Sequence, residues 1–407
     1  MKKNNKNGMN NKISLYMIIL LFIICLTNNC TIKSQRKIKS KEAAVMYNNP
    51  ETTISIPKLI KEKSILYSEI CDTVIHIPLE TNKNCLIGNI NKIEVYDSLI
   101  FVGDYNQTKS IFIFDKTGNF VRKLHNYGKG PGEYIAIDEF NVDFPNKKIY
   151  INDRRQKKIL VYDFNFNFIK SKSFNYFYRN VFGFNNGLYL YQNSARNASS
   201  KLYYQFLVYD DFDSKRINEK FLPFTEKDKY ELFSYQHFRN FNNEKLFFRQ
   251  SLSNRILSYC KKEKLKYAFD IQFHPDDKAF VMEENIGLTV DEAFDKLIKE
   301  DLSYIEGFDI SEDFMYFKIQ KGVEHYFCLY NCKTGDIKAG DYFMNDLPYS
   351  FVIGVLEEIY KNYLVSYIEP IFIKSKMSPK LREKIFPQIK NFSNANPIII
   401  MSRLKLN

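Results

Sequence analysis

The chain has no tryptophan, and only five histidines are spread over its 407 residues. Without indole there is no strong sugar-stacking platform, although 36 Phe and 29 Tyr can supply smaller ones. The histidines, at positions 76, 125, 237, 274 and 325, form no His-x-x-x-His pair. No Ser-His-Asp arrangement and no paired-carboxylate motif is legible either. Gly and Pro are too few for a collagenous or low-complexity chain, and 45% hydrophobic content argues for a folded body.

Acidic residues are missing from the first forty positions, which carry eight cations: Lys2, Lys3, Lys6, Lys12, Lys33, Arg36, Lys37 and Lys39. They account for two thirds of the net charge of +12. The +4 left on residues 41–407 is an ordinary surface balance, which argues against a nucleic-acid partner. The seven cysteines include no pair of pairs with zinc spacing; Cys328 and Cys332 have no second pair to complete four ligands. No metal or other cofactor is expected. A Cys71–Cys85 disulfide is permitted if the chain is exported.

No apolar run is long enough to span a bilayer comfortably. The longest, Ile13 to Thr27, has the length of a signal-peptide core and follows a basic segment. Cys30 comes shortly after, where a bacterial lipoprotein would carry its lipid, although Thr27, Asn28 and Asn29 are poor matches to the usual small residues. Bulky Ile24 makes Cys25 the weaker candidate. We expect a signal peptide over 1–29, lipid attachment at Cys30, a polar tether over 30–68 and one folded domain over 69–407. Soluble secretion and an uncleaved anchor are the alternatives.

What the body does have is a repeat. Ser110 to Leu124 (SIFIFDKTGNFVRKL) is an apolar alternation, a Lys-Thr-Gly-Asn turn and a second alternation, which is a β-hairpin. Its grammar returns at Lys158 to Ser173. A marker closes the third strand of each unit at Asp115, Asp163, Asp210, Cys260 and Asn331. The first intervals are near-equal and the last is lengthened by an insertion. Four strands at this period make a β-propeller blade. Packing blades radially buries both apolar faces of each small sheet. Five whole units leave strands at both ends; Thr73 to Leu79 (TVIHIPL) is predicted to complete the last blade. This gives an all-β, six-bladed β-propeller of four-stranded antiparallel blades closed by the N-terminal strand. Seven blades is the alternative if Ile371 to Lys374 begins another sheet. Helical insertions are predicted near 289–302, with Thr289 and Glu292 as a capping box, and near 378–389.

Asp72 to Val95, followed by LIFVGD, the hairpin and Gly128 to Tyr134 (GKGPGEY), resembles the six-bladed propeller lipoproteins of Bacteroidetes. These are related in architecture to NHL-repeat propellers. The resemblance implies a cell-envelope protein and supplies no reaction or ligand. The basic residues after Cys30 lack the acidic patch that accompanies surface export in such bacteria, which favours the periplasmic side of a membrane.

GKGPGEY lacks the Gly-Lys-Ser/Thr ending and the following helix of a phosphate loop. As the crossover between two blades it puts Lys129 and Glu133 on a rim where ligands can bind. Longer crossovers on the same rim offer Arg179, Tyr230, His237, His274, Asp276 and Asp277. Adjacent Asp276 and Asp277 after His274 could hold a cation but also suit a solvated turn. The first functional expectation is a non-catalytic, monomeric binding protein with an envelope protein, peptide or glycan partner. The alternative is a hydrolase or lyase with a channel-mouth site, which no linear motif would reveal.

Overall fold

The computed structural model describes residues 50–192, 202–223, 238–241, 244–250, 252–281, 288–344, 346–347 and 355–405. The leader, Cys30, Tyr230 and His237 lie outside them. Residues 51–407 form one compact unit.

Six four-stranded antiparallel blades stand around an axis. The axial strands are Lys92–Tyr96, Glu139–Asp143, Asn180–Phe184, Arg239–Phe241, Ser303–Ile310 and Val355–Tyr360. The middle strands read as continuous apolar runs because both faces are covered: Ile111, Phe112, Ile113 and Phe114 are each at most 1% exposed. Alternate residues serve opposite neighbours. Phe112 and Phe114 pack toward the last blade, with Val365 and Ile399. Ile111 and Ile113 pack toward the second, with Phe140 and Ile151. The inter-blade seams are therefore the hydrophobic core.

The ring closes as expected. Cys71–Pro78 pairs antiparallel with Ile398–Leu404 as the outer strand of the sixth blade. Ile371 to Lys374 belongs to a helix, Pro370–Lys376, so no seventh sheet begins there. A second short helix, Pro379–Ile385, completes a helical hairpin inserted in blade six. Val290–Lys299 is helical with the capping box formed by Thr289 and Glu292.

The Asp115 marker has a local cause. Its Oδ1 accepts from the Thr117 and Asn119 amides at 2.8 and 3.0 Å. Burial alone would raise the carboxyl, but these bonds and those from the two side chains hold it down at about 2. Asp163 repeats the turn with Asn165 and Asn167, and Asn331 with Lys333 and Thr334. At Cys260 a thiol does the same job, accepting from Glu263 N.

Two expectations need correction. Residues 52–66, read as the end of a polar tether, include two strands laid on the ring. Thr52–Ser55 runs parallel to Lys264–Gln272 of blade four. Ser64–Leu66 runs parallel to Tyr342–Met344. The hidden signal is Ile54, Ile56, Leu59 and Ile65, at most 5% exposed among polar neighbours. Cys71 and Cys85 are free buried thiols in different seams: Cys71 packs with Tyr67 and Ile70, Cys85 with Ile90 and Ile93.

Candidate functional site

The twist of each blade turns the first strand parallel to the axis, so alternate residues of the six inner strands face the channel. One layer is fixed by equivalent ladder positions: Glu94, Asn141, Phe182, Arg239, Asp309 and Glu358 pair with Phe101, Tyr150, Tyr189, Phe247, Tyr316 and Val365.

These side chains staple neighbouring blades. Val95 N donates to Glu358 Oε1 at 2.6 Å, and Val142 N donates to Glu94 Oε2 at 3.1 Å. Asn141 accepts from Gly183 N at 3.0 Å and donates to its carbonyl at 2.8 Å. Ile359 N donates to Asp309 Oδ2 at 2.8 Å. Inner edge strands would otherwise leave these amides unpaired in a narrow channel.

The layer is also charged. Arg239 Nε lies 2.6 Å from Asp309 Oδ1. One step toward the strand starts, Lys92 Nζ lies 2.7 Å from Glu94 and 3.8 Å from Glu139. Burial works against the charged guanidinium, yet Asp309, Glu358, Glu94 and Glu139 together raise the Arg239 pKa. Burial raises Asp309, with Arg239 opposing. Glu358 is raised well above the carboxylate range by burial, then by repulsion from Asp309 and Glu94. Among the described residues it is the carboxyl of this layer with no ion pair.

This layer floors a cavity of about 500 Å³, a size suited to a small ligand. It opens where the inner strands end. Its wall carries Tyr96, Phe144, Phe182, Phe238 and Tyr360, and at the mouth Glu312, Asp313 and Lys361. Tyr96 stacks on Phe144 with centroids 4.1 Å apart. Asp313 is held by Lys333 at 2.6 Å; Glu312 is exposed. Acids outnumber bases around the cavity by five to two.

Those residues singled out from the sequence that the structure describes lie elsewhere, at the end of the ring where inner strands begin. Lys129 is exposed. Glu133 is spent on its own loop: Gly130 N donates to its Oε2 at 2.7 Å, and the carboxylate fills the space where Gly128 would carry a Cβ. Arg179 sits just before the third inner strand, with its amide donated to the Tyr191 carbonyl. Asp276 pairs with Lys58 at 2.7 Å and lies 3.8 Å from His274. Asp277, 1% exposed, accepts from Lys321 Nζ at 2.7 Å and Leu59 N at 2.8 Å. Both aspartates pin the N-terminal strap. No group of three or more His, Cys, Asp or Glu is gathered to hold a metal among the described residues.

The missed residues did leave a signal. Glu94, Asn141, Asp309 and Glu358 each interrupt an apolar first strand at the same place in the repeat, as in Ile-Glu-Val and Phe-Asp-Ile.

A family model described as Domain of unknown function (DUF4934) matches residues 51–403. Among solved structures, a candidate exported protein of Bacteroides fragilis is similar at 20% identity, with 87% of this chain and 99% of that chain covered and a TM-score of 0.68. A member of the DUF4221 family from Bacteroides vulgatus is similar at 10% identity, covering 82% and 97% of the two chains with a TM-score of 0.50. Both likenesses are of fold. No curated protein shows significant similarity. Among the described residues no helix is long and apolar enough to cross a membrane.

Proposed function

We propose, for a chain that belongs to the family described as Domain of unknown function (DUF4934), a non-catalytic propeller of the cell envelope that binds a partner through its axial cavity. In this reading it is a lipoprotein held at Cys30 on the periplasmic side. The basic segment, the apolar run and the nearby cysteine support that address. The partner is a protein or peptide whose basic side chain or amino group enters the cavity.

One observation carries the ligand class: a roomy cavity combines five aromatic rings with Glu358, a buried carboxyl that has no ion pair among the described residues. A guanidinium or ammonium gains from both, by ion pairing with Glu358 and by lying over a ring face. A glycan would use the same rings but would leave Glu358 without an ionic partner. The binding face is therefore the end where the inner strands finish, and not the crossover rim. Titration with an arginine-containing dipeptide and its neutral citrulline isostere tests this. The arginine form should bind at least tenfold more tightly; equal affinities would rule the cation reading out.

The raised Glu358 carboxyl beside Glu94 and Asp309 favours a second reading, a hydrolase or lyase in which Glu358 is the general acid. In that case Glu358→Gln should abolish turnover of a captured partner, whereas the binding reading expects no turnover at all.

A further inference from the structure

The helical hairpin of blade six, Pro370–Lys376 and Pro379–Ile385, carries a surface that the propeller does not use. Its inward residues are satisfied. Ile373, Met377 and Phe386 are buried with Ile368, Ile398 and Ile400, so the hairpin is fixed to the blade. Ile371 and Phe372 nevertheless point outward, 47% and 60% exposed. Lys374 and Lys376 follow them on the same helix and are exposed, as are Lys380 and Lys384 of the second helix. None of these lysines forms an ion pair with a carboxylate among the described residues.

Paired apolar side chains on a hairpin whose exposed lysines have no carboxylate partner among the described residues are complementary to an interface that is anionic at its surface and apolar just beneath. A protein partner would more often cover such a patch with few cations at its centre, since lysine is depleted from interface cores. The hairpin connects the second and third strands of its blade. It therefore springs from the end of the ring where inner strands begin, opposite the cavity mouth. We infer that this hairpin is a peripheral contact for an anionic bilayer surface, which leaves the cavity facing away from the membrane. The inference rests on the hairpin alone and survives failure of the cavity reading.

The absence of tryptophan provides the test. Phe372→Trp places a single reporter at the proposed point of insertion in the full-length Cys30→Ala chain. Adding phosphatidylglycerol vesicles should shift its emission to the blue, because the indole enters the acyl boundary. Phosphatidylcholine vesicles should leave it unchanged. Each lysine near an anionic surface strengthens binding roughly fivefold, so adding Lys374→Glu, Lys376→Glu and Lys380→Glu should weaken the response more than tenfold. A matching unfolding midpoint for the variants would show that the fold is kept. No shift with either lipid, or the same shift with both, overturns the inference. Local emission is read, so adsorption through another segment cannot mimic the expected result.

Discussion

Arg239 and Asp309 meet at 2.6 Å across the seam between the fourth and fifth inner strands, and the same aspartate accepts the Ile359 amide of the sixth blade. One carboxylate thus joins three blades at the axis. Its charge is balanced by a guanidinium that also faces Glu358 and Glu94.

Removing only the cation should be costly. Arg239→Met leaves the buried Asp309 without its cation and is expected to destabilise the chain by about 3 kcal/mol. The double variant Arg239→Met/Asp309→Asn should recover part of that loss. Urea midpoints measure both. A double variant no more stable than the single would contradict the pairing.

Glu358 sets a pH dependence of defined sign. Its folded-state pKa is raised, chiefly by burial, so the folded chain keeps a proton that the unfolded chain releases near 4.5. Stability should fall as pH climbs above that value, until the folded-state pKa is passed. Glu358→Gln removes the cost. It should stabilise the protein at neutral pH and have little effect in the acid range. Thermal unfolding across pH checks this, and a gain that did not depend on pH would refute it.

Gly118 ties the repeat to the ring closure. Its φ is +89°, and a Cβ there would collide with the Pro78 carbonyl oxygen. Its own carbonyl accepts from Glu80 N at 2.8 Å, and Glu80 in turn accepts from Phe120 N at 2.8 Å. Gly118→Ala should therefore cost about 2 kcal/mol or more. Moving the same change to Gly335, where φ is also positive but space is open, should cost about 1 kcal/mol. Chemical denaturation of the two variants compares them directly.

Asp277 should behave as a structural residue. Asp277→Ala strips Lys321 and Leu59 N of their buried acceptor and is expected to cost about 3 kcal/mol. Limited proteolysis should then cut the strap between residues 51 and 66, which the parent protein protects. Calcium should change neither pattern; protection by calcium in the parent protein would restore the cation reading of His274 to Asp277.

The architecture was legible because the blades repeat one hairpin grammar and an Asx-type turn closes the third strand in three of them. Asp115, Asp163 and Asn331 fulfil that role by hydrogen bonds within five residues of themselves, so local sequence suffices. Ring closure could also be read, since Thr73 to Leu79 had no partner nearby. The strap at 52–66 escaped notice because its buried Ile54, Ile56 and Leu59 alternate with polar residues in a short stretch rich in Lys and Glu. The cavity was hidden for a different reason. Glu94, Arg239, Asp309 and Glu358 come from four blades, and only closure of the ring brings them together. Gly128 to Tyr134 is the more conspicuous stretch of sequence, but its glycines serve a tight loop built around Glu133.

The most direct test of a cation-accepting cavity is calorimetric titration of the arginine dipeptide in two buffers of different ionisation enthalpy at neutral pH. Burial and its acidic neighbours favour the protonated form of Glu358, and a cation arriving beside it should drive that proton off. Binding should then release protons, and Glu358→Gln should abolish the release. Binding with no buffer dependence, or with the same proton release in the Glu358→Gln variant, would contradict the assignment of the cation to this cavity.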